Sequence, residues 1–226
     1  MCGRFTIEMT LEELLLRYSC MSTDDLYHSP KYNVAPTQMV SAVINDGNAN
    51  RLGALRWGLV PSWAQDDKSG SKMINARAET ILEKPSFKQL IRRKRAIVPA
   101  DGFYEWKKNG NAKQPMRITL KDGAVFSMAA LYDSWLSPDG SKLHTCTIIT
   151  TTPNGLVADI HDRMPVILHP ENEAEWLARS NVDVTRLTKM LVPYEAEKMR
   201  AYPVSQLVGN VKNDSPELIE EQMVLF

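Results

Sequence analysis

Four dipeptides constrain the folding of this chain more than any other feature: Asp46-Gly47, Asn109-Gly110, Asp122-Gly123 and Asp139-Gly140. Each suits the positive φ angles of tight turns, and each lies beside runs rich in β-branched and aromatic residues. Those runs predict strands over 39–45, 53–60, 95–100, 103–108, 115–120, 124–131 and 144–151. Tight turns impose antiparallel pairing, because a parallel pair needs a long crossover. Helical signals are fewer. Thr10 and Glu13 form a capping-box pattern, with Leu11, Leu14, Leu15 and Tyr18 at helical spacing, which predicts a helix over 10–19. Ser86 is read as the cap of a short basic helix through Arg93, helical patterns return at 171–179 and 183–191, and Pro216 opens a short final helix. The expected fold is α+β, a single domain over 1–226, with mostly antiparallel strands curved into a barrel-like sheet and flanking helices.

Charge narrows the function. Lys plus Arg and Asp plus Glu both total 27, so the chain has no net charge. A protein that coats duplex DNA nonspecifically is normally basic, so any nucleic-acid contact must be a local patch. No stretch approaches the ~20 apolar residues of a membrane span, and the N-terminus lacks signal-peptide character. A cytoplasmic protein is expected. The three cysteines and four histidines are scattered, without a Cys-x-x-Cys pair, so neither a disulfide framework, a metal site nor a cofactor is expected.

Chemistry enters at the first residues, "MCGRF". Removal of Met1 would leave Cys2 with a free α-amine and a thiol two atoms apart, a pair no internal cysteine has. A buried filler cysteine is the plain alternative, with Gly3 merely allowing a turn. In "VPADGFYEW", Glu105 shares a strand face with Phe103, while Tyr104 and Trp106 share the other. A carboxylate so bracketed is desolvated, which favours its protonated form and suits a proton shuttle. His161, between Asp159 and Asp162, is either a second acid–base group or a helix-start histidine bonded to a neighbouring aspartate. Asn33, taken alone, reads as a turn residue.

Seven segments in order, "MCGRF", "YNVAPTQ", "RWGLVPSW", "INARAET", "PADGFYEW", "DIHDRMPVIL" and "VGNVKND", closely resemble the SRAP (SOS response-associated peptidase) family, from residue 2 to about 214. The resemblance implies a protein that recognises abasic sites in single-stranded DNA, crosslinks to them through Cys2, and associates with the nucleoid when DNA is damaged. It implies Asn75 as a positioning group and Glu105 and His161 as acid–base residues. Arg77 and Arg163 would hold phosphates around the lesion, and Gly3, Arg4 and Thr150 would line the same pocket. Pro36 and Trp63 would brace the neighbouring bases. Where some relatives carry a second tryptophan after the Trp63 position, this chain has Ala64. A monomer is expected.

The residue types support such chemistry on their own. An α-amine of pKa ~7.8 is roughly 14% free base at pH 7, against ~0.04% for a lysine. Attack on the open-chain aldehyde of an abasic sugar gives a Schiff base, and the adjacent thiol closes a thiazolidine at high effective molarity. An unclosed Schiff base permits β-elimination, hence weak lyase activity, and the peptidase label would reflect exposure of Cys2. Two other classes share features with this chain. An N-terminal-nucleophile hydrolase can also begin Met-Cys-Gly, but needs a glutamine pocket and oxyanion donors. A noncatalytic single-strand binder would use the same arginines and aromatics without depending on Cys2.

Overall fold

The computed structural model describes residues 2–23, 26–110 and 112–223. Five strands close into a ring. Met39–Asn45 pairs with Asn50–Trp57, which runs parallel beside Lys142–Thr151; that strand pairs with Phe126–Leu136, then Arg95–Ala100, which returns to Met39–Asn45. Closure is achieved at Arg56 opposite Thr145 and Trp57 opposite Cys146. A second, wholly antiparallel sheet follows the order Met199–Pro203, Ala112–Leu120, Gly102–Asn109, Phe5–Ile7, Lys31–Val34. The expected α+β architecture with a curved, barrel-like sheet is the one present.

The turn dipeptides act as their sequence implies. Gly47, Gly110, Gly123 and Gly140 all have positive φ, and the Asp46, Asp122 and Asp139 carboxylates accept backbone N–H groups within their own turns. The capping box also forms: Thr10 Oγ1 accepts from the Glu13 N–H, Glu13 accepts from the Thr10 N–H, and the helix runs Leu11–Arg17. Several boundaries differ, among them the strand predicted over 124–131, which spans Phe126–Leu136. The strand predicted over 53–60 spans Asn50–Trp57, because Gly58 turns away at φ 130° and donates to the Cys146 carbonyl. The basic helix is two short pieces, Pro85–Lys88 and Leu90–Arg93, and Ser86 is not its cap. Pro85 fixes the first helical position, behind Lys84 and without a side-chain cap. The later helices are Pro170–Leu177 and Val184–Lys189, and Pro216–Ile219 is a 3₁₀ turn. Among the described residues, no helix is long and apolar enough to cross a membrane.

One large core, including Phe5, Trp57, Ile97, Phe103, Met128 and Ile148, fills the space within and between the sheets. A smaller cluster of Tyr104, Tyr202, Val204, Val208 and Leu218 covers the outer face of the second sheet. The strand Gly102–Asn109 therefore lies between two apolar regions, and its alternation assigns Phe103 to one and Tyr104 to the other.

Gly58 is held where the chain leaves the ring. A Cβ there would come within 2.5 Å of the Gly70 carbonyl oxygen, a backbone atom with nowhere to move, and φ 130° is strained for any L side chain. Gly58→Ala is expected to cost about 2–3 kcal/mol or more, a melting-temperature drop of roughly 4–12 °C for a chain of this size. A melting temperature within a degree of wild type would contradict this reading of the bend.

Candidate functional site

The site is assembled where the first residues of the chain meet the strand Gly102–Asn109. Phe5 lies opposite Phe103 and Thr6 opposite Gly102, and the Tyr104 N–H donates to the Arg4 carbonyl at 3.0 Å. Continuing this antiparallel register sets Gly3 opposite Glu105, and Cys2, one residue before it, lies close enough to feel the Glu105 charge. A buried polar brace fixes the register. Asp101 accepts from the Thr6 hydroxyl (2.5 Å) and from the Glu8 N–H, while the Arg117 guanidinium reaches Asp101 (2.9 Å), Glu8 (2.8 Å), Thr6 Oγ1 (3.0 Å) and the Tyr202 hydroxyl (2.7 Å). Gly102 leaves room for it, since a Cβ would sit 2.7 Å from Arg117 Nε.

Cys2 is wholly buried. Burial, then the Glu105 charge, pushes its thiol far above the ordinary range, with the chain terminus and the Arg4 N–H opposing. Glu105 is nearly as buried, and desolvation raises its carboxyl from 4.5 to about 8; the positive chain terminus opposes this and the Asp162 charge adds to it. It is therefore largely protonated at neutral pH. His161 Nε2 stands 3.7 Å from Glu105 Oε2. The turn after Gly155–Ala158 places it, with the His161 N–H donating to the Val157 carbonyl. In the neutral ring its Nδ1 faces both the Arg163 N–H (3.1 Å) and the Arg163 carbonyl (3.3 Å), so either tautomer finds a partner there. Burial lowers the imidazole pKa, favouring that neutral form, while a protonated ring would also donate to Asp162.

Asn75 begins a three-residue strand, Asn75–Arg77, that runs parallel to Lys142–Thr151, with Asn75 opposite Ile148 and Arg77 opposite Thr150. Its Nδ2 donates a stretched bond to the Ile148 carbonyl (3.4 Å), and its Oδ1 is buried without a hydrogen-bond partner among the described residues. A buried acceptor in that condition suits a donor from a bound molecule.

The cationic residues differ from one another. Arg77 is exposed, with no ion pair among the described residues. Arg163 is instead held in a two-pronged pair with Glu79, at 2.8 and 2.9 Å, and also donates to the Thr150 carbonyl (2.7 Å) and hydroxyl. Thr150 itself is buried. Arg4, beyond the half-buried Gly3, donates to Asn33 Oδ1 (2.8 Å) and to the Val208 (2.6 Å) and Gly209 carbonyls, so among the described residues its charge meets neutral acceptors.

Pro36 and Trp63 lie on loops at either side of the end of strand Asn50–Trp57. Pro36 is half-buried beside Thr37, a non-glycine residue at φ 74° whose N–H donates to the Trp57 carbonyl. Trp63 is 69% exposed. Its turn is pinned by Asp133 to the Ser62 N–H (2.8 Å) and by the Trp135 indole to the Ala64 carbonyl (2.7 Å).

Asn33 is not a simple turn residue. It is buried, and its amide donates to the Val208, Asn210 and Asn213 carbonyls while its oxygen takes Arg4. It thus ties "YNVAPTQ" to "VGNVKND". Sequence reasoning also passed over Asp101, Arg117 and Glu79. The first and last lie inside quoted segments, but their partners are up to 95 positions away.

The chain belongs to the SOS response associated peptidase (SRAP) family, whose profile matches residues 1–211. It is 55% identical over 223 residues to Abasic site processing protein YoqW of Bacillus subtilis, covering 97% of this chain and 99% of that one. Abasic site processing protein YedK of Escherichia coli is 37% identical, at 97% and 99% coverage, and the HMCES protein of Gallus gallus is 34% identical, at 85% and 66%. A crystal structure of a Bacteroides thetaiotaomicron protein superposes with a TM-score of 0.87 at 30% identity, covering 98% of this chain and all of the other.

The Glu105 environment has a consequence for stability. With its folded pKa raised to about 8, wild type loses stability as pH rises from about 4.5 through 8, because only the unfolded carboxyl ionises freely there. Glu105→Gln carries no such loss. Its melting temperature relative to wild type is expected to rise across that window and to level off above it. A difference independent of pH would contradict the buried, protonated carboxyl.

Proposed function

We propose that this protein processes abasic sites in single-stranded DNA by forming a covalent thiazolidine through Cys2 once Met1 is removed. The observation that carries this reading is the convergence of a buried Cys2, a Glu105 carboxyl raised to about 8, and a neutral His161 with Nε2 3.7 Å from that carboxyl. The names of the relatives, abasic site processing proteins, support the substrate.

The steps follow from the groups available. Glu105, protonated, donates to the ring oxygen of the abasic sugar as it opens to the aldehyde. The Cys2 amine, as free base, adds to the aldehyde carbon, its nitrogen returning a proton to Glu105 while the carbonyl oxygen takes one from His161. The carbinolamine then loses its hydroxyl as water with the Glu105 proton, the remaining hydrogen on nitrogen passes back to that carboxylate, and a neutral Schiff base forms. The thiol adds across the C=N bond, its hydrogen passing to nitrogen, and no further atom leaves. Burial holds the Cys2 thiol neutral until this closure, and His161 accepts and returns protons at the sugar hydroxyl. The unpartnered Asn75 Oδ1 receives a donor from the opened sugar or the carbinolamine. Arg77 and Arg4 offer charge to the flanking phosphates. Arg163 does so in competition with Glu79. Pro36 and Trp63 brace the neighbouring bases, with Ala64 leaving that side to a single indole. Slow β-elimination from the Schiff base gives weak lyase activity.

The rate of adduct formation with an abasic oligonucleotide tests the roles. Cys2→Ala is expected to give no stable adduct, only a Schiff base trappable by borohydride. Glu105→Gln is expected to slow the reaction by roughly 10²–10⁴-fold, with the same final product. Wild type should show a bell-shaped pH dependence, rising as the amine deprotonates and falling as Glu105 ionises near pH 8, and the variant should lose the falling limb. His161→Ala should slow formation and reversal alike. A normal stable adduct from Cys2→Ala, or wild-type rates in both acid–base variants, would refute the assignment.

A further inference from the structure

We propose that the basic surface of Lys84, Lys88, Arg92 and Arg93 is a second nucleic-acid contact, which holds the phosphates of the strand running past Trp63 on one side of the lesion. The inference rests on the single-stranded DNA reading above and extends it. Residues 84–95 contain six basic residues and no acidic one, in a chain whose charges balance only when this segment is included. Two of the six serve the fold. Arg95 is buried against the Ile91, Trp176 and Ala178 carbonyls, and Lys94 pairs with Asp133 at 2.5 Å. The other four have no ion pair among the described residues.

The placement argues for a strand rather than a solvated face. Phe87, Leu90 and Ile91 are buried and fasten the two short helices, while Lys84, Lys88 and Arg93 are exposed and Arg92 is half-buried. Arg92, Arg93 and Lys94 share an open depression of about 500 Å³ with Ser62, the residue before Trp63. Asp133 joins the two parts physically, since one oxygen takes the Ser62 N–H and the other takes Lys94. On its far side the exposed Trp63 borders a second hollow, of about 420 Å³, that reaches Met73, two residues from Asn75. Trp63 thus stands between a hollow that reaches Met73 and, through the adjoining Ser62, a depression lined by Arg92 and Arg93, unpaired among the described residues. Alternating aromatic and cationic contacts fit bases and phosphates of one strand. An acidic peptide would have no use for the indole.

Fluorescence anisotropy with single-stranded oligonucleotides carrying a tetrahydrofuran abasic analogue, which has no aldehyde, tests this without the covalent step. One oligonucleotide extends only on the 5′ side of the analogue, one only on the 3′ side, one is too short to extend on either, and a fourth is intact. The double variant Arg92→Gln with Arg93→Gln is expected to weaken binding of one extended strand, flattening its salt slope by about 1.4, at roughly 0.7 per phosphate. It should leave the other extension, the short strand, and the adduct rate on a saturating short abasic strand unchanged. Lys88→Gln with Arg93→Gln, both exposed positions, should reproduce the effect and guards against misfolding. Equal loss on every strand, or loss on none, would overturn the proposal. If wild type binds abasic and intact strands alike, the lesion reading fails, and the basic surface then stands or falls on the salt slope of the intact strand.

Discussion

The pairing of Phe5–Ile7 with Gly102–Asn109 is the contact on which the rest of the site depends. It brings two buried residues 103 positions apart, Cys2 and Glu105, near enough for the charge of one to act on the other. A short first strand would fray without support, and the Asp101–Arg117 network supplies it by taking the Thr6 hydroxyl and the Glu8 N–H from the first strand's side. A buried ionic group of this kind is weak evidence for stability but good evidence for register. Here register decides everything, since a slip of one residue would turn Glu105 from the pocket to the Tyr104 face.

Around that pocket the fold supplies what a proton-transfer site needs. The closed ring of strands gives a rigid wall, and its Lys142–Thr151 strand carries Asn75 and Thr150 on adjoining backbone. The His161 turn leaves the same strand's end and is held by Arg163, itself held by Glu79 and Thr150. Desolvation then does opposite things to different groups: it keeps Glu105 protonated and His161 neutral. A paired acid and base at neutral pH result chiefly from burial.

The fold was legible where local signals are strong. The Asp-Gly and Asn-Gly turns, the Thr10 capping box and the long strands all carry periodic or turn chemistry that needs no distant partner. The strands Phe5–Ile7, Lys31–Val34 and Asn75–Arg77 were not legible, because three or four residues are too few for a period to appear and tertiary pairing alone defines them. Among site residues, the desolvation of Glu105 could be read from its flanking aromatics. The hub role of Asn33 and the capture of Arg163 by Glu79 could not, because each depends on a partner 84 or more positions away.

The central claim is that the α-amine and thiol of one terminal residue share the same carbon of the DNA. Intact mass spectrometry of the mature protein mixed with an abasic oligonucleotide, followed by peptide mapping, tests it most directly. The chemistry proposed here predicts a single adduct whose mass is the chain without Met1 plus the oligonucleotide less one water, stable to heat and denaturant and mapped to Cys2. An equally stable adduct on chains that retain Met1, or one mapped to a lysine, would contradict it.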